Sequence, residues 1–228
     1  MNIGMIVYSD MVMLDLIGPQ TVFSMMEANV HLIGKSRAAV STELGIQISP
    51  TATYETAPPY LDVLFIPGGL KGTIAMLQDD VALGYLAEAG AHARIVASDC
   101  TGSLILAAAG LLKGYRATSH WYVRDLLPLM GAKLDPTRVV ADRNRFTGGG
   151  VTAGIDLGLT IAAHLRGEEA ARRIQLTLEY DPQPPFDSGS PQAAGEALST
   201  DVRGRRAPLI EAARQACAAA AARLDLSA

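Results

Sequence analysis

Three stretches of this sequence are apolar almost without interruption: Ile3 to Tyr8, Leu61 to Ile66 and Arg94 to Asp99. A strand with one wet face alternates apolar and polar residues, whereas a strand covered on both faces has no reason to. Helical patterns lie between these runs, and strands alternating with helices specify a mostly parallel sheet with helices on both faces. The chain is therefore expected to be α/β. Its 228 residues suit one generous domain with a large core and are short for two.

The remaining elements follow from the same reading. Asp15-Leu16-Ile17-Gly18-Pro19 leads into a helix over Gln20 to Glu27, and short strands are expected at Val30 to Gly34 and Gly45 to Ile48. The strand from Leu61 ends in a Pro67-Gly68-Gly69 loop. Helices are predicted near Thr73 to Leu77, over Asp80 to Ala93, and after the Arg94 to Asp99 strand. Arg116 to Ser119 reads as a strand, Trp121 to Met130 as a helix, and Arg138 to Ala141 and Arg145 to Thr147 as strands around a turn. Val151 to Arg166 and Glu168 to Leu178 are helical. From residue 179 to 228 the character changes to a C-terminal extension, a proline-punctuated loop followed by an alanine-rich helix over Ala207 to Leu224.

Composition excludes several classes. With 49% apolar and 18% charged residues the chain can build a core over most of its length. A net charge of −4 without a basic stripe argues against nucleic acid as a partner. Cys100 and Cys217 are two isolated cysteines, neither a disulfide framework nor a metal-ligand pattern. The N-terminus runs straight into the first strand without a basic leader, and no apolar segment approaches a membrane span, so a cytoplasmic location is expected.

Chemistry points to Cys100. It stands between a buried strand and a helix whose first turn is Thr101-Gly102-Ser103. Unpaired N–H groups and the positive end of a helix dipole favour thiolate there. Small residues two before and two after it, Ser98 and Gly102, follow the spacing logic of the Gly-x-Ser-x-Gly elbow. A buried, inert cysteine would leave the same trace. In an open α/β sheet, ligands bind beyond the carboxyl ends of the strands, where the Asp15 loop, the Pro67-Gly68-Gly69-Leu70 loop and the Cys100 turn can meet. Asp15, among apolar neighbours, suits a proton donor, although aspartate also caps helices. Gly68 and Gly69 could aim backbone N–H groups into a cleft, and a tight turn alone would also explain them. His120 could serve the thiol as a base or be a satisfied structural histidine. His31, His92 and His164 read as surface positions. Gly148-Gly149-Gly150-Val151-Thr152-Ala153 formally matches a dinucleotide fingerprint, but it sits late in the chain and its acidic follower, Glu168, lies in a helical region. A turn that brings the next helix close to the sheet explains it better.

Together, Pro67-Gly68-Gly69, Cys100-Thr101-Gly102-Ser103, Leu106 to Leu112, Arg116-Ala117-Thr118-Ser119-His120-Trp121 and Thr147 to Asp156 resemble the ThiJ/PfpI branch of the class I glutamine-amidotransferase-like superfamily. Leu14-Asp15-Leu16, Gln175 to Tyr180, Pro184-Pro185-Phe186 and Gly189-Ser190-Pro191 resemble its isocyanide hydratases in particular. The resemblance implies a flavodoxin-like fold, a homodimer, no cofactor or metal, and hydration of an organic isocyanide to an N-substituted formamide. It makes Cys100 the nucleophile and Asp15 its acidic partner, with Gly69, Leu70, Thr101 and Val151 lining the substrate and oxyanion side and His120 in support. Most of the superfamily carries glutamate where this chain has Asp15. Two other readings stay open: a glyoxalase- or deglycase-like enzyme acting on reactive carbonyls, and a ligand-sensing domain like that of AraC-type regulators.

Overall fold

In the computed structural model, which describes residues 1–225, the three apolar runs form the centre of one sheet. Along the chain come β1 (Asn2–Ile6), α1 (Met13–Ser24), β2 (Asn29–Gly34), β3 (Val40–Ser41), β4 (Gln47–Ile48), β5 (Ala52–Thr53), β6 (Val63–Ile66), α2 (Leu70–Met76), α3 (Asp80–His92), β7 (Ile95–Ser98), α4 (Gly102–Ala108), β8 (Arg116–Ala117), a 3-10 helix (Arg124–Met130), β9 (Lys133–Leu134), β10 (Val139–Asp142), β11 (Arg145–Gly148), α5 (Ala153–Arg166), α6 (Glu168–Thr177), α7 (Pro191–Ala194) and α8 (Glu196–Arg223).

The main sheet has seven strands in the order β10-β11-β7-β6-β1-β2-β5. Every pair is parallel except β10–β11, which closes one edge antiparallel. This is the flavodoxin-like α/β architecture. Ile3 pairs with Val63 and Val63 with Ile95, so β1, β6 and β7 run side by side and release their loops at one edge. Every residue of β6 and β7 is buried, as continuous apolar strands require. Phe23 of α1 meets Phe65 of β6 edge to face, with ring centroids 6.0 Å apart. Burying side chains of this size contributes about 1.5–3 kcal/mol each.

Several boundaries differ from the sequence expectation, and the reasons are tertiary. α1 starts at Met13, not Gln20, and carries Pro19 inside it, so Asp15 lies in its first turn. No local side chain caps this helix; its leading N–H groups find partners on distant loops instead, which local patterning does not reveal. Trp121 to Met130 forms a turn and a 3-10 helix rather than an α-helix, with Pro128 interrupting the ladder. β5 and β9 are two-residue strands with no pattern to announce them. α8 begins at Glu196, well before Ala207, and runs through Gly204 and Pro208. Its second half buries Ala213, Ala216, Cys217, Ala220 and Ala221, and Arg223 donates to the Leu77 carbonyl at the end of α2 at 2.7 Å. Residues 226–228 of the expected C-terminal extension lie outside the described residues. Among the described residues no helix is long and apolar enough to cross a membrane.

Candidate active site

The site forms where the loops after β1, β6 and β7 converge. Cys100 follows β7 with φ at +55°, a left-handed conformation that a residue bearing a Cβ adopts at a cost of about 1 kcal/mol or more. Three donors hold its carbonyl there: Ser119 Oγ at 2.8 Å, Ser103 Oγ at 3.1 Å and the His120 N–H at 3.3 Å. The turn is thus the strained strand-to-helix elbow that the spacing of Ser98 and Gly102 suggests, with surrounding contacts fixing its shape.

Asp15 projects inward from the first turn of α1 and is fully buried. It does not cap its own helix. Its Oδ2 accepts the Gly68 N–H at 2.9 Å, and the Gly68 carbonyl in turn accepts the Val12 N–H at 2.8 Å. The Cys100 thiol adjoins the same carboxyl group, whose Oδ1 is buried without a close partner among the described residues. Gly68 has to be glycine: a Cβ there would stand 2.5 Å from the Thr101 nitrogen and 2.8 Å from both Asp15 Oδ2 and Cys100 Cβ. Gly69 adopts φ +135° against the backbone of Asp10 and Met11, again leaving no room for a side chain.

The loop amides have an architectural use. The Gly68 N–H is given to Asp15, and the Gly69 N–H to Thr101 Oγ1 at 2.9 Å. Thr101 Oγ1 also shares a hydrogen bond with Thr73 Oγ1 at 2.7 Å, so its hydroxyl ties the elbow to α2. These groups build the site instead of standing free in a cleft. Leu70 is buried at the start of α2 and Val151 is half-buried in the turn before α5.

Electrostatics differ from the sequence expectation for the thiol. Burial first, and then the charges of Asp15 and Asp99, push the Cys100 thiol well above its ordinary range; the α4 N-terminus does not overcome them. The same desolvation raises Asp15 to about 7, against smaller opposing effects from the Gly68 N–H and the thiol. The pair therefore carries two protons below about pH 7 and one above it, with the acid form of Asp15 strongly favoured relative to an exposed aspartate.

His120 reaches Cys100 through its main chain. Its imidazole packs against Tyr122 with ring centroids 3.8 Å apart and the planes tilted by 41°, and burial, with Arg206 adding to it, lowers it to about 4. Asp99, which sequence reasoning did not single out, is fully buried directly before the nucleophile, and burial reinforced by Asp15 raises its carboxyl well above the usual range. The signal was present as an acid at the end of an apolar run. Tyr8 is a second such residue; its hydroxyl donates to the Pro67 carbonyl at 2.7 Å and braces the glycine loop. A cleft of about 430 Å³, lined by Ser119, His120, Trp121, Arg124, Arg138 and Val151 among others, adjoins the carbonyl side of the elbow. Cys217 is buried in α8, apart from these loops. Among the described residues no three His, Cys, Asp or Glu side chains cluster as metal ligands.

Comparison with known proteins places this geometry. The chain is 46% identical to the isonitrile hydratase of Pseudomonas putida over 227 residues, 99% of each protein. It is 33% identical over 156 residues to the HTH-type transcriptional regulator GbdR of Pseudomonas aeruginosa, a match spanning 66% of this chain but 41% of the regulator. The crystal structure of a ThiJ/PfpI family protein from Pseudomonas syringae superposes with a TM-score of 0.93 at 46% identity, covering 95% of this chain and 90% of that one. DJ-1beta of Drosophila melanogaster shares the fold at a TM-score of 0.70 and 22% identity, over 78% of this chain and 97% of its own. The profile of the DJ-1/PfpI family matches residues 1–164, which contain β1, the elbow and every residue that holds Cys100 and Asp15 in place, and the chain belongs to that family.

Proposed function

We propose that this chain hydrates an organic isocyanide to the N-substituted formamide, with Cys100 as nucleophile and Asp15 as the acid that moves its proton. The observation that carries the reading is the buried thiol–carboxyl pair on a strained elbow, held by Gly68. The near full-length likeness to an isonitrile hydratase supports the choice of substrate class.

The chemistry follows from one shared proton. Asp15 takes the proton of the Cys100 thiol as the sulfur attacks the terminal isocyanide carbon, and returns it to that same carbon. The product is a thioimidate, R–N=CH–S–Cys100. Water then adds to the carbon while nitrogen gains a proton. The tetrahedral adduct R–NH–CH(OH)–S–Cys100 collapses by breaking the C–S bond, which releases R–NH–CHO and restores the thiol with its proton. Covalent catalysis splits a difficult water addition into two easier steps. A carboxyl raised to about 7 can both accept and give a proton at neutral pH, which an ordinary aspartate does poorly. Val151 lines the substrate side in this scheme, Gly69, Leu70 and Thr101 form the wall behind it that shapes the loop and the elbow, His120 supports the elbow, and no cofactor enters.

The reading includes a homodimer in the cytoplasm, without a nucleic-acid partner, and one domain carrying residues 179–228 as a C-terminal extension. Its test is formamide production from an aryl isocyanide, with intact-mass detection of a Cys100 adduct. Turnover by the wild-type chain, abolished in Cys100→Ala and Cys100→Ser, is expected; equal hydration by either variant would overturn it. The likeness to the regulator favours a second reading, a ligand sensor. That reading requires reversible binding of the isocyanide without formamide. Preferential turnover of methylglyoxal would instead select a carbonyl-processing enzyme.

A further inference from the structure

The first turn of α1 raises a question of partners. An aspartate at this position is drawn toward the unpaired N–H groups of its own helix start. Asp15 turns away from them, and the first two of these donors are engaged by other loops. The Val12 N–H goes to the Gly68 carbonyl at 2.8 Å, and the Met13 N–H goes to Glu43 Oε2 at 2.9 Å. Glu43 belongs to the turn between β3 and β4, a two-stranded hairpin outside the main sheet. Its own N–H donates to the Met11 carbonyl at 3.1 Å, and the Asp10 N–H donates to the Ser41 carbonyl at 2.8 Å. The hairpin therefore grips residues 10 to 13 on both sides of the bend that aims Asp15 at Cys100. Glu43 is exposed, so its place here is not explained by packing.

We infer that Glu43 is a positioning residue for the reaction: its carboxylate caps α1 from outside the helix and frees the Asp15 carboxyl to face Gly68 and Cys100. This rests on the proposed function for its substrate but not for its geometry. A second effect accompanies the cap, since the Glu43 charge opposes ionisation of Asp15. The other ionisable groups around Asp15 are Tyr8 after β1, Asp99 and Cys100 on the elbow, and Tyr122 beyond β8. Asp10, on the same loop, is paired with Lys71 at 3.1 Å. Glu43 is the member of this set that reaches Asp15 from the surface, so it can be changed without opening the core.

Two variants separate cap from charge. Glu43→Gln keeps an oxygen to accept the Met13 N–H and removes the charge; Glu43→Ala removes both. The probe is the rate of Cys100 alkylation by iodoacetamide across pH, followed by site-resolved mass spectrometry, beside hydration of an aryl isocyanide. Glu43→Ala should lower the plateau kcat by about fivefold, the scale of one lost capping contact, with KM little changed. Glu43→Gln should recover that plateau while the acidic limb of Cys100 alkylation moves to lower pH in both variants, because Asp15 ionises more easily without the neighbouring anion. A wild-type plateau and an unmoved limb in Glu43→Ala would overturn the inference. A plateau loss that Glu43→Gln does not recover would also overturn it, since the loss would then follow the charge and not the cap. Should the wild-type chain fail to hydrate isocyanides while the alkylation shifts appear, the substrate assignment fails and the positioning role stands.

Discussion

Gly68 and Asp15 are joined by a 2.9 Å hydrogen bond from the glycine N–H to Oδ2, at the point where a Cβ on residue 68 would touch both the carboxylate and Cys100. One backbone amide thus orients the acid, and the missing side chain leaves space for the thiol beside it. Gly68→Ala should push the loop or the elbow out of place. A displacement on the order of 1 Å is expected to lower kcat/KM about a hundredfold. Overpacking should cost a further ~1–3 kcal/mol of stability. Steady-state kinetics with a thermal melt tests this; normal activity in the Gly68→Ala variant would contradict the geometry.

Asp15 links pH to activity and to stability in opposite senses. The one-proton state of the thiol–carboxyl pair forms as pH rises through about 7, so kcat/KM should rise there and fall again only where the raised thiol loses its proton. Stability should do the reverse. A carboxyl whose folded value lies above its unfolded one stabilises fully below about 4 and loses that contribution as pH climbs to about 7. Asp15→Asn should flatten this decline, by an amount on the order of a few kcal/mol, and lower turnover by about 10² to 10⁴. Denaturant titrations at pH 5 and pH 8 on both proteins provide the check; parallel pH dependences would refute it.

Cys100 stores backbone strain. At φ +55° a glycine is relaxed and an alanine is not, so Cys100→Gly should be about 1 kcal/mol more stable than Cys100→Ala, with both inactive. Equal melting temperatures for the two variants would show that the three donors on the Cys100 carbonyl do not hold it in a costly conformation.

His120 supports the elbow with its N–H while its ring stays neutral above about 4. His120→Asn should leave the pH-rate profile between about pH 5 and 8 unchanged in shape, because the imidazole does not titrate there. Loss of a limb in this variant would restore the histidine as a base.

How much was legible follows from the kind of signal each feature leaves. The central strands are readable because continuous apolar runs have one solution, burial on both faces. The elbow is readable because small residues must flank it. The helical position of Asp15 is not, since α1 is capped by Gly68 and Glu43, residues distant in sequence whose contribution exists only after folding. The thiolate expectation failed at Cys100 for a related reason: a helix start favours an anion, but full burial beside two carboxyls counts for more. Glu43 itself leaves no local trace, being an ordinary exposed glutamate in a turn.

The strand order β7-β6-β1 has a consequence for how this molecule can fail. Nucleophile, tether and acid hang from three adjacent strands, with Gly68 on the middle one. A chain in which any one of these strands has slipped by a single residue could retain most of its secondary structure, yet it would not bring sulfur and carboxyl together. Catalytic competence is therefore a sharp reporter of register in the centre of the sheet, able to reveal misassembly that circular dichroism would pass as native.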